Sequence, residues 1–364
     1  MAKKERVLLG MSGGVDSSVC AALLQRQGYQ VIGITMQLLP PSLDNTGACC
    51  NRSAVCDAQR VAHSLGIPHY VINARETFQT HVIDPFVSRY MQGETPNPCI
   101  ECNRSIKFDA IREAGRSLGT QWVATGHYVR RLWHTRRHEY GLYTALDPQK
   151  DQSYFLYPMT QSGLAHTLFP LGRYTKSTIR QMAHSFQLLT ATKPDSQDIC
   201  FVKKGAHAEF VARQHVVPPT PGLIVHVNGT VLGHHQGIHR YTIGQRKGLN
   251  ISASTPLYVV RIDAPTHTVV VGPVDKGVHV VTLRQPTLVS ASESPVGNRY
   301  TVKLRSQMTP QMATVTAWQP DRATLSLYEP IPFVSPGQSA VLYHGSRVVG
   351  GGIIQLEGRE VWGE

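Results

Sequence analysis

The chain lacks the features of membrane-bound, secreted and repetitive proteins. None of its apolar runs reaches the length of a membrane span, and the polar segment Met1–Arg6 leads directly into the first apolar run. We therefore expect no contact with a membrane, no secretory signal and a cytoplasmic location. The 364 residues contain no internal repeat and no low-complexity segment, so we expect two or three ordinary globular domains.

Cysteine is scarce, and its count is odd. The seven cysteines are Cys20, Cys49, Cys50, Cys56, Cys99, Cys102 and Cys200. In a long chain without a secretory signal, an odd count argues against a framework of structural disulfides. A lone cysteine is most often a buried thiol, so a catalytic role needs support from the surrounding residues.

Acidic residues are also in the minority. The chain has 36 Lys and Arg residues against 24 Asp and Glu residues, which gives a net charge of +12. A protein this basic often binds a polyanion, although solubility alone would also explain the charge. The segment Arg130–His138 mixes cations with an aromatic residue, which is typical of RNA-contacting surfaces and of solvated hairpins alike.

The most informative segment that is present is Ser12–Ser18. It follows the apolar residues Val7–Leu9, which favour a buried strand, and it precedes Val19–Leu24, which favour a helix. A glycine-rich turn between a strand and a helix is an anion site, because the first N–H groups of the helix have no partner within it. Gly13 and Gly14 would let these N–H groups wrap a phosphate.

Asp16 is the unusual member of this turn. A carboxylate beside a phosphate is repelled unless a cation bridges them, so Asp16 indicates Mg²⁺ with a polyphosphate. The turn is not a Walker A loop, because no Gly-Lys-Ser or Gly-Lys-Thr is present. It resembles the Ser-Gly-Gly-x-Asp-Ser loop of the PP-loop ATP pyrophosphatases, which cut ATP between the α- and β-phosphates. The alternative is an ordinary glycine turn with a serine or aspartate helix cap.

Strand and helix signals alternate over about the first 200 residues. The predicted strands are Val7–Gly10, Val31–Met36, His69–Ile72 and Trp122–Thr125, and the predicted helices include Phe78–Met91, Phe108–Leu118 and Tyr174–Leu189. This alternation predicts a doubly wound parallel sheet with its ligand at the carboxyl ends of the strands. Short β-rich runs after Cys200 predict a small central domain and then a C-terminal β-barrel. The expected fold is therefore α/β, with domains at 1–205, 206–278 and 279–364.

Two loops carry cysteines toward the same expected edge of the sheet. Thr95–Arg104 is a proline-rich loop that leads into a helix, with Cys102 near the helix N-terminus, where the helix dipole favours a thiolate. Lys193–Phe201 is a second loop and carries Cys200. The remaining cysteines have no comparable setting, and we interpret them as non-catalytic.

Together these motifs resemble the tRNA-specific 2-thiouridylases of bacteria, the MnmA family of the PP-loop superfamily. The matching segments are Gly10–Ser18, Thr95–Asn103, Ala124–Tyr128, Lys150–Phe155, Ser196–Phe201 and Gly237–Leu249. The resemblance spans almost the whole chain. It implies an adenine nucleotide α-hydrolase-like adenylation domain, a central linking domain and a C-terminal β-barrel, in agreement with the changes in composition.

The resemblance also implies a role for each matching residue. ATP would be bound by Gly10, Met11, Ser12, Gly13, Gly14, Val15, Asp16, Ser17, Met36 and Gly126. The target base and the rest of tRNA would be contacted by Asn97, Pro98, Cys99, His127, Lys150, Asp151, Gln152, Arg305, Ser306 and Gln338. Cys102 and Cys200 would be the catalytic pair, and Asp16 would act with them in the reaction.

Two positions depart from the family pattern. Many members have aspartate in place of Cys99 and tyrosine in place of Ser306, which weakens the argument for that tRNA contact. With Cys102 and Cys200, Cys99 would complete a set of three thiols, enough to hold three irons of a [4Fe–4S] cluster or to bind Zn²⁺. We favour the metal-free alternative, because the chemistry requires only two of these thiols.

The implied reaction is ATP-dependent 2-thiolation of the wobble uridine of tRNA. The C2 oxygen of uracil is a poor leaving group, so adenylation would make AMP the leaving group, while the loop and Mg²⁺ stabilise pyrophosphate. A sulfur-donor protein would load a persulfide onto Cys200. Cys102 would attack this carrier or form a transient disulfide with it. His127 is predicted to position or contact tRNA rather than to act as a general base.

Two other functions agree with parts of the sequence. A PP-loop ligase or synthetase acting on a small molecule would explain the loop, but not the cysteine loops, the charge or the β-domain. A non-catalytic RNA-binding protein would not need the intact Asp16 and the serines around it.

If the substrate is tRNA, its binding should weaken steeply with salt, because the basic surface must neutralise several phosphates and release their counterions. Filter binding of bulk tRNA between about 50 and 200 mM salt measures this dependence. A flat dependence would favour the small-molecule ligase.

Overall fold

The computed structural model describes residues 4–40, 52–195, 199–203, 205–214, 218–274 and 276–355. The strands are β1 (Arg6–Gly10), β2 (Gln30–Gln37), β3 (His69–Asn73), β4 (Trp122–Ala124), β5 (Val129–His134), β6 (Glu139–Thr144), β7 (Thr167–Leu168), β8 (Gly222–His226), β9 (Val231–His235), β10 (Tyr258–Asp263), β11 (Thr268–Gly272), β12 (Val278–Leu288), β13 (Arg299–Lys303), β14 (Gln311–Trp318), β15 (Arg322–Ile331), β16 (Ser339–His344) and β17 (Arg347–Gln355). The α-helices are α1 (Val15–Arg26), α2 (Arg52–Ser64), α3 (Arg75–Phe78), α4 (Asp84–Met91), α5 (Pro98–Glu101), α6 (Asp109–Ser117), α7 (Gln161–Ala165), α8 (Lys176–Ser185) and α9 (His207–Gln214). Two short 3₁₀ helices lie at Ser153–Leu156 and Ile238–Arg240.

The N-terminal part is built on a five-stranded parallel sheet with the order β3-β2-β1-β4-β7. Alternate residues of β1 face its two sides, as the period of a strand requires. Val7 and Leu9 pack into a core shared with α1 and α8, whereas Leu8 packs on the opposite side with Ile111 of α6. Both faces of the sheet are therefore covered, and the predicted doubly wound architecture is confirmed.

The strand order reverses beside β1. The chain runs from β1 outward to β2 and β3, and it then returns to place β4 on the other side of β1. In such sheets the ligand crevice lies outside the carboxyl ends of the two strands at the reversal. Gly10 ends β1, and Gly126 follows shortly after β4, so both residues lie at this crevice.

Two helical runs contain a π-helical turn. The predicted helix Phe78–Met91 falls within α3 and α4, which are joined by the π turn Gln79–Ile83. The predicted helix at Phe108–Leu118 begins earlier than expected, because α5 and the π turn Cys102–Phe108 precede α6 without a break. A proline in the first turn suits this start, because its missing N–H would have had no partner there.

Two further sheets follow. The central domain has a four-stranded sheet with the order β10-β11-β8-β9, in which β8 and β11 are parallel. The C-terminal strands form a closed barrel in the order β12-β15-β14-β13-β16-β17, because β17 pairs again with β12. The barrel has its own apolar core, which includes Leu283, Val302 and Leu325. The predicted C-terminal β-barrel is thus confirmed.

The basic segment Arg130–His138 belongs to the hairpin of β5 and β6. The hairpin joins the edge of the barrel sheet through the pair Arg347–Tyr143. Three of its four arginines, Arg130, Arg131 and Arg137, are engaged within the protein. Arg130 donates to the carbonyl oxygen of Thr144, and Arg131 lies over the ring of Tyr140, 4.4 Å from its centre. The segment therefore links the N-terminal part to the barrel.

Glu293 anchors this hairpin to the barrel. Its carboxylate forms ion pairs with Arg137 of the hairpin and with Arg347 of β17, and it accepts a hydrogen bond from the Tyr300 hydroxyl. Burial alone would raise the pKa of Glu293, but the hydrogen bonds from Arg347, Arg137 and Tyr300 outweigh burial and lower the pKa to about 2.

The barrel also holds the loop that precedes α5. Arg284 of β12 forms a bidentate ion pair with Glu94, with nitrogen–oxygen distances of 2.7 and 2.6 Å. The side-chain amide of Gln338 donates to the carbonyl oxygen of Thr95 at 2.7 Å. The N–H of Thr95 donates to the carbonyl oxygen of Pro336 at 2.8 Å. Loop and barrel therefore form one packed unit.

Some predicted features lie outside the described residues. These are Cys49, Cys50 and the segment 196–198. Within the described ranges, no helix is both long enough and apolar enough to cross a membrane.

Replacement of Glu293 by glutamine should lower the free energy of unfolding at pH 7 by roughly 2–3 kcal/mol, because two arginines lose a largely buried partner. The folded pKa of Glu293 lies below its ordinary value of 4.5, so its contribution is present above that value and is lost as the pH falls toward about 2. The difference between wild type and variant should therefore shrink below pH 4.5.

Urea unfolding from neutral to acidic pH measures this difference. Glu329→Gln is the matched control, because Glu329 is exposed on β15. A pH-independent difference between wild type and Glu293→Gln would contradict the assigned ionisation.

Candidate active site

A cavity of about 480 Å³ opens at the reversal point of the parallel sheet. Most of the residues predicted to bind ATP line it: Gly10, Met11, Ser12, Gly14, Val15, Asp16, Ser17, Met36 and Gly126. The fold thus brings together residues that are far apart in the sequence, because they all lie at the carboxyl ends of β1, β2 and β4.

Gly13 packs against α2 instead of lining the cavity. Its φ is +68°, and a Cβ at this position would lie 2.2 Å from the carbonyl oxygen of Ala54. Both the backbone angle and the close approach require glycine. Any side chain would push the loop away from α2 and change the shape of the cavity.

The loop is held by its own hydroxyl groups. Ser17 and Ser18 donate to the carbonyl oxygen of Gly14, at 3.2 and 2.8 Å. The N–H of Ser12 donates to the Ser17 hydroxyl oxygen at 3.2 Å. No side chain caps α1, which starts after Gly14. The first turn of this helix is therefore suited to an anion, because its N–H groups and dipole point into the cavity region.

Lysines add positive charge to the cavity. The lysines that line it are Lys107, Lys150 and Lys193. The Lys193 ammonium lies 2.9 Å from the carbonyl oxygen of Gly13 and 2.7 Å from a carboxylate oxygen of Asp57. Only two carboxylates, Asp16 and Asp195, are among the described lining residues. The balance favours a polyanionic ligand.

Asp16 is paired within the protein. Its Oδ1 accepts hydrogen bonds from the Tyr128 hydroxyl at 2.6 Å and from the Lys176 ammonium at 2.7 Å. The same ammonium lies 2.8 Å from Asp195 Oδ1. Lys176 therefore bridges the glycine loop and the loop that leads to Cys200.

Asp195 forms ion pairs with three cationic side chains. Besides Lys176, it accepts from Lys150 at 2.7 Å and from Arg180 at 2.7 Å. Burial opposes its ionisation, but the hydrogen bonds from Lys150 and Lys176 prevail and lower the pKa of Asp195 to about 2. Asp195 is therefore an anion at neutral pH.

His127 is buried in the wall of the cavity. Its Nδ1 lies 2.9 Å from the Thr125 hydroxyl, and its ring stacks on Phe108 with 5.8 Å between ring centres. Burial, with a smaller contribution from the positive charge of Lys107, lowers the pKa of His127 well below its ordinary value. The imidazole is therefore neutral and acts at this site as a hydrogen-bonding group.

Cys102 and Cys200 belong to one hydrophobic cluster. Cys102 is buried in it, whereas Cys200 is partly buried against it. Leu38 belongs to the same cluster and Met36 packs against it, and both residues also line the cavity of about 480 Å³. The apolar wall of the cavity is thus continuous with the surroundings of both thiols.

Cys99 lies closer to the helix N-terminus than Cys102 does. The helix begins at Pro98, so Cys99 lies in its first turn and Cys102 follows α5 at the start of the π turn. The N–H groups without a helical partner are therefore nearer to Cys99. The dipole argument made from the sequence for Cys102 applies more directly to Cys99.

The residues predicted to contact tRNA fall into three places. His127, Lys150 and Gln152 line the cavity of about 480 Å³, and Asn97 and Pro98 line a second cavity of about 210 Å³. The other predicted contacts line neither cavity: Cys99, Asp151, Arg305, Ser306 and Gln338.

Several of these groups already have partners. Asp151 accepts from the Ser153 hydroxyl at 2.7 Å, and Gln152 accepts from the Tyr128 N–H at 2.9 Å. Arg305 donates to the carbonyl oxygen of Phe333. Any contact of these side chains with RNA would have to add to, or replace, these internal bonds.

The sequence did not identify four members of the site: Tyr128, Lys176, Lys193 and Asp195. Tyr128 and Asp195 lie within conspicuous motifs, Ala124–Tyr128 and the loop before Cys200, so position in a motif was a usable signal. The sequence contains no such signal for Lys176, because this residue lies on α8, which is far from the glycine loop in the sequence and approaches it only in the folded structure.

The described residues contain no group of three or more His, Cys, Asp or Glu side chains that could hold a metal ion. In this conformation, Cys99, Cys102 and Cys200 therefore do not form a set of cluster ligands.

Three family models match consecutive parts of the chain. Residues 5–204 match a tRNA methyl transferase HUP domain, and residues 209–273 match a tRNA methyl transferase PRC-barrel domain. Residues 278–354 match an aminomethyltransferase beta-barrel domain. Together the three models cover nearly the whole chain.

Relatives of similar length are close in sequence. A tRNA-specific 2-thiouridylase MnmA of Carboxydothermus hydrogenoformans is 44% identical over 97% of this chain and 98% of the relative. The proteins of the same name from Synechocystis and Moorella thermoacetica are each 45% identical, over 96% of this chain and 97% and 99% of the relatives. The resemblance found in the sequence is confirmed, and the chain belongs to the family of tRNA-specific 2-thiouridylases, MnmA.

Proposed function

We propose that this protein uses ATP to replace the C2 oxygen of the wobble uridine of tRNA by sulfur. One observation carries the proposal: the nucleotide cavity and the pair Cys102 and Cys200 share an apolar wall through Met36 and Leu38. A base activated at the mouth of the cavity would lie close to the thiols that deliver sulfur. The names of the relatives agree with this chemistry.

ATP would bind in the larger cavity. The loop from Gly10 to Ser17 would hold its phosphates, and Met36 and Gly126 would contact the rest of the nucleotide. Lys193 would lie beside the phosphates, because its ammonium already contacts the loop carbonyl of Gly13. Attack of the uridine C2 oxygen on the α-phosphate would release pyrophosphate and leave the base adenylated.

The site suits Mg²⁺ held by a single carboxylate and the phosphates of ATP. Mg²⁺ in ATP sites is commonly held by one or two carboxylates together with phosphate oxygens. Asp16 fits this role through its second oxygen, because the hydrogen bonds from Tyr128 and Lys176 both go to Oδ1. When bound, the ion would neutralise charge on the departing pyrophosphate.

Sulfur transfer would use both cysteines. A donor protein would leave a persulfide on Cys200, and its terminal sulfur would attack C2, from which AMP departs with the former C2 oxygen. The Cys102 thiolate would then attack Cys200 Sγ, which breaks the bond to the transferred sulfur and leaves that sulfur on the base. The product is a Cys102–Cys200 disulfide, which a thiol reductant returns to two thiols.

An iron–sulfur cluster does not fit the described conformation. A [4Fe–4S] cluster would require Cys99, Cys102 and Cys200 to converge, and the described residues contain no such group. The cysteine pair alone satisfies the chemistry, so no step is assigned to a cluster.

Other reactions fit the cavity less well. Two of the matching family models are described as domains of a tRNA methyl transferase. A methyl transferase with a sulfonium donor would bind a cation. The lysines that line the cavity favour a polyanion instead. A ligase acting on a small molecule would not need the shared wall with two thiols.

The remaining assignments follow the family pattern. We propose that the base is held by Asn97, Pro98 and Cys99, and that further tRNA contacts come from His127, Lys150, Asp151, Gln152, Arg305, Ser306 and Gln338. The adenylation unit would be residues 1–205, the linking unit 206–278 and the tRNA-binding barrel 279–364.

Replacement of Asp16 by alanine should abolish tRNA-dependent release of pyrophosphate and AMP, with little effect on tRNA affinity. Asp16 would act on the phosphates, and its loss also leaves Lys176 without one of its two carboxylate partners. A pyrophosphate assay with ATP and bulk tRNA, together with filter binding, measures both quantities.

Asp109→Asn, an exposed carboxylate on α6, is the control. Undiminished pyrophosphate release from Asp16→Ala would contradict the proposed role, and release of ADP by the wild type would contradict α,β cleavage.

Cys102→Ser and Cys200→Ser should each stop sulfur incorporation but still allow ATP-dependent activation of tRNA, because the thiols act after adenylation. Thiolated uridine is measured by mass spectrometry of digested tRNA, with a small persulfide as the donor. Cys56→Ser is the control, because Cys56 is exposed on α2.

Normal thiolation by Cys200→Ser would refute its role as the carrier. Iron and sulfide assays of anaerobically purified wild type complete the test: a stoichiometric cluster that disappears together with activity in Cys99→Ser would replace the persulfide mechanism.

A further inference from the structure

The second cavity contains a basic side chain without a partner. This cavity of about 210 Å³ lies between α4, the start of α5 and barrel strand β12. Arg89, Arg104 and Gln285 contribute to its lining. The guanidinium of Arg89 makes no hydrogen bond or ion pair with any residue that the structure describes, although the side chain is half-buried.

The nearby carboxylates are already occupied by other arginines. Glu101 pairs with Arg104 at 2.7 Å, and Glu94 pairs with both terminal nitrogens of Arg284. Each of these carboxylates is therefore neutralised by its own partner. Arg89 is left as the excess positive charge of the group.

Arg89 is unfavourably placed in the unbound protein. Burial lowers the pKa of Arg89, and the positive charges of Arg284 and Arg104 also lower it, whereas the negative charges of Glu94 and Glu101 raise it. A half-buried cation without a partner has a free-energy cost, unless a ligand supplies the opposite charge. An anion in the cavity would offset the desolvation of the Arg89 guanidinium by pairing with it directly.

The position of the cavity indicates which anion this is. Asn97 and Pro98, which we propose to hold the target base, line it as well. Gln285 presents its side chain from the barrel, and its φ of +49° places it in the left-handed region, which is uncommon for a residue other than glycine. An RNA strand that delivers a base to Asn97 carries a phosphate on each side of that nucleotide.

We propose that this cavity binds an RNA backbone phosphate next to the target uridine, with Arg89 and Arg104 as its ligands. The proposal rests on the proposed function, because it takes tRNA as the substrate. A guanidinium offers paired donors that match two phosphate oxygens. The barrel takes part in the site, because Arg284 of β12 hydrogen-bonds both carboxylate oxygens of Glu94.

The first test measures tRNA affinity as a function of salt for wild type, Arg89→Gln and Arg89→Lys. Loss of one phosphate contact should reduce the slope of log K against log salt by about 1. Arg89→Lys should restore most of this slope. Arg116→Gln is the matched control, because Arg116 is an exposed arginine on α6, at the far end of the helical run that carries Arg104. An equal loss in the control, or an unchanged slope in Arg89→Gln, would overturn the proposal.

The second test locates the phosphate. Anticodon stem-loops are made with a neutral methylphosphonate on either the 5′ or the 3′ side of the target uridine. If Arg89 binds one of these phosphates, Arg89→Gln should weaken binding of the unmodified loop several-fold and leave binding of one modified loop unchanged. Additive losses for both modified loops would refute a contact at these positions.

Thermal melting separates a binding role from a structural one. Without RNA, Arg89→Gln should melt at the same temperature as wild type or higher, because a half-buried cation that is unfavourably desolvated is removed. A lower melting temperature together with weaker binding would assign Arg89 to the fold instead. Failure of wild type to bind any tRNA would refute the proposed function itself, whereas binding with an unchanged Arg89→Gln slope would refute only this inference.

Discussion

The bridge formed by Lys176 between Asp16 and Asp195 is the interaction on which the candidate active site depends. It joins three segments: the glycine loop, α8 and the loop before Cys200. Lys176 is largely buried, with 12% of its side chain exposed, so its charge is poorly screened by water. Loss of Lys176 would remove the ion-pair partner of Asp16 and its link to Asp195, so the three segments are positioned together.

This bridge changes the argument about the cation at Asp16. From the sequence, a carboxylate beside a phosphate required a metal ion. The structure supplies a cation of its own, because the Lys176 ammonium lies 2.7 Å from Asp16. A polyphosphate would thus meet a carboxylate that is already partly neutralised. Mg²⁺ would be bound by the phosphates and by the remaining oxygen of Asp16. The loop would keep its shape without the ion, because Lys176 already neutralises part of the charge of Asp16.

The surroundings of the thiols are suited to an intermediate that water would destroy. Phe78, Phe86, Phe201 and Phe210 pack edge to face or tilted in the cluster that holds Cys102, with ring centres 5.2–6.2 Å apart. Such packing leaves little room for water beside an adenylated base or a persulfide. The aromatic cluster thus supports the chemistry without contributing a reacting group.

Local patterns were sufficient for most of the fold. Strand ends, the glycine loop and the change to β structure after Cys200 depend on residues that are neighbours in the sequence, so periodicity and turn chemistry predicted them. The contacts of Lys176 with Asp16 and of Glu293 with Arg137 depend on pairings across more than a hundred positions, which no local pattern encodes. The π turn after α5 was also beyond local prediction, because it alters the helical register without any breaking residue.

The barrel has a role even before RNA arrives. Its Gln338 amide donates to Thr95, and its Arg284 holds Glu94, so it fixes the loop that we propose to receive the base. A pre-formed loop loses less conformational entropy on binding than a mobile one. If Gln338 contacts tRNA, it must do so while giving up or sharing its bond to Thr95. The barrel contact and the RNA contact would then be coupled through one side chain, and arrival of the RNA would be transmitted directly to the loop that positions its base.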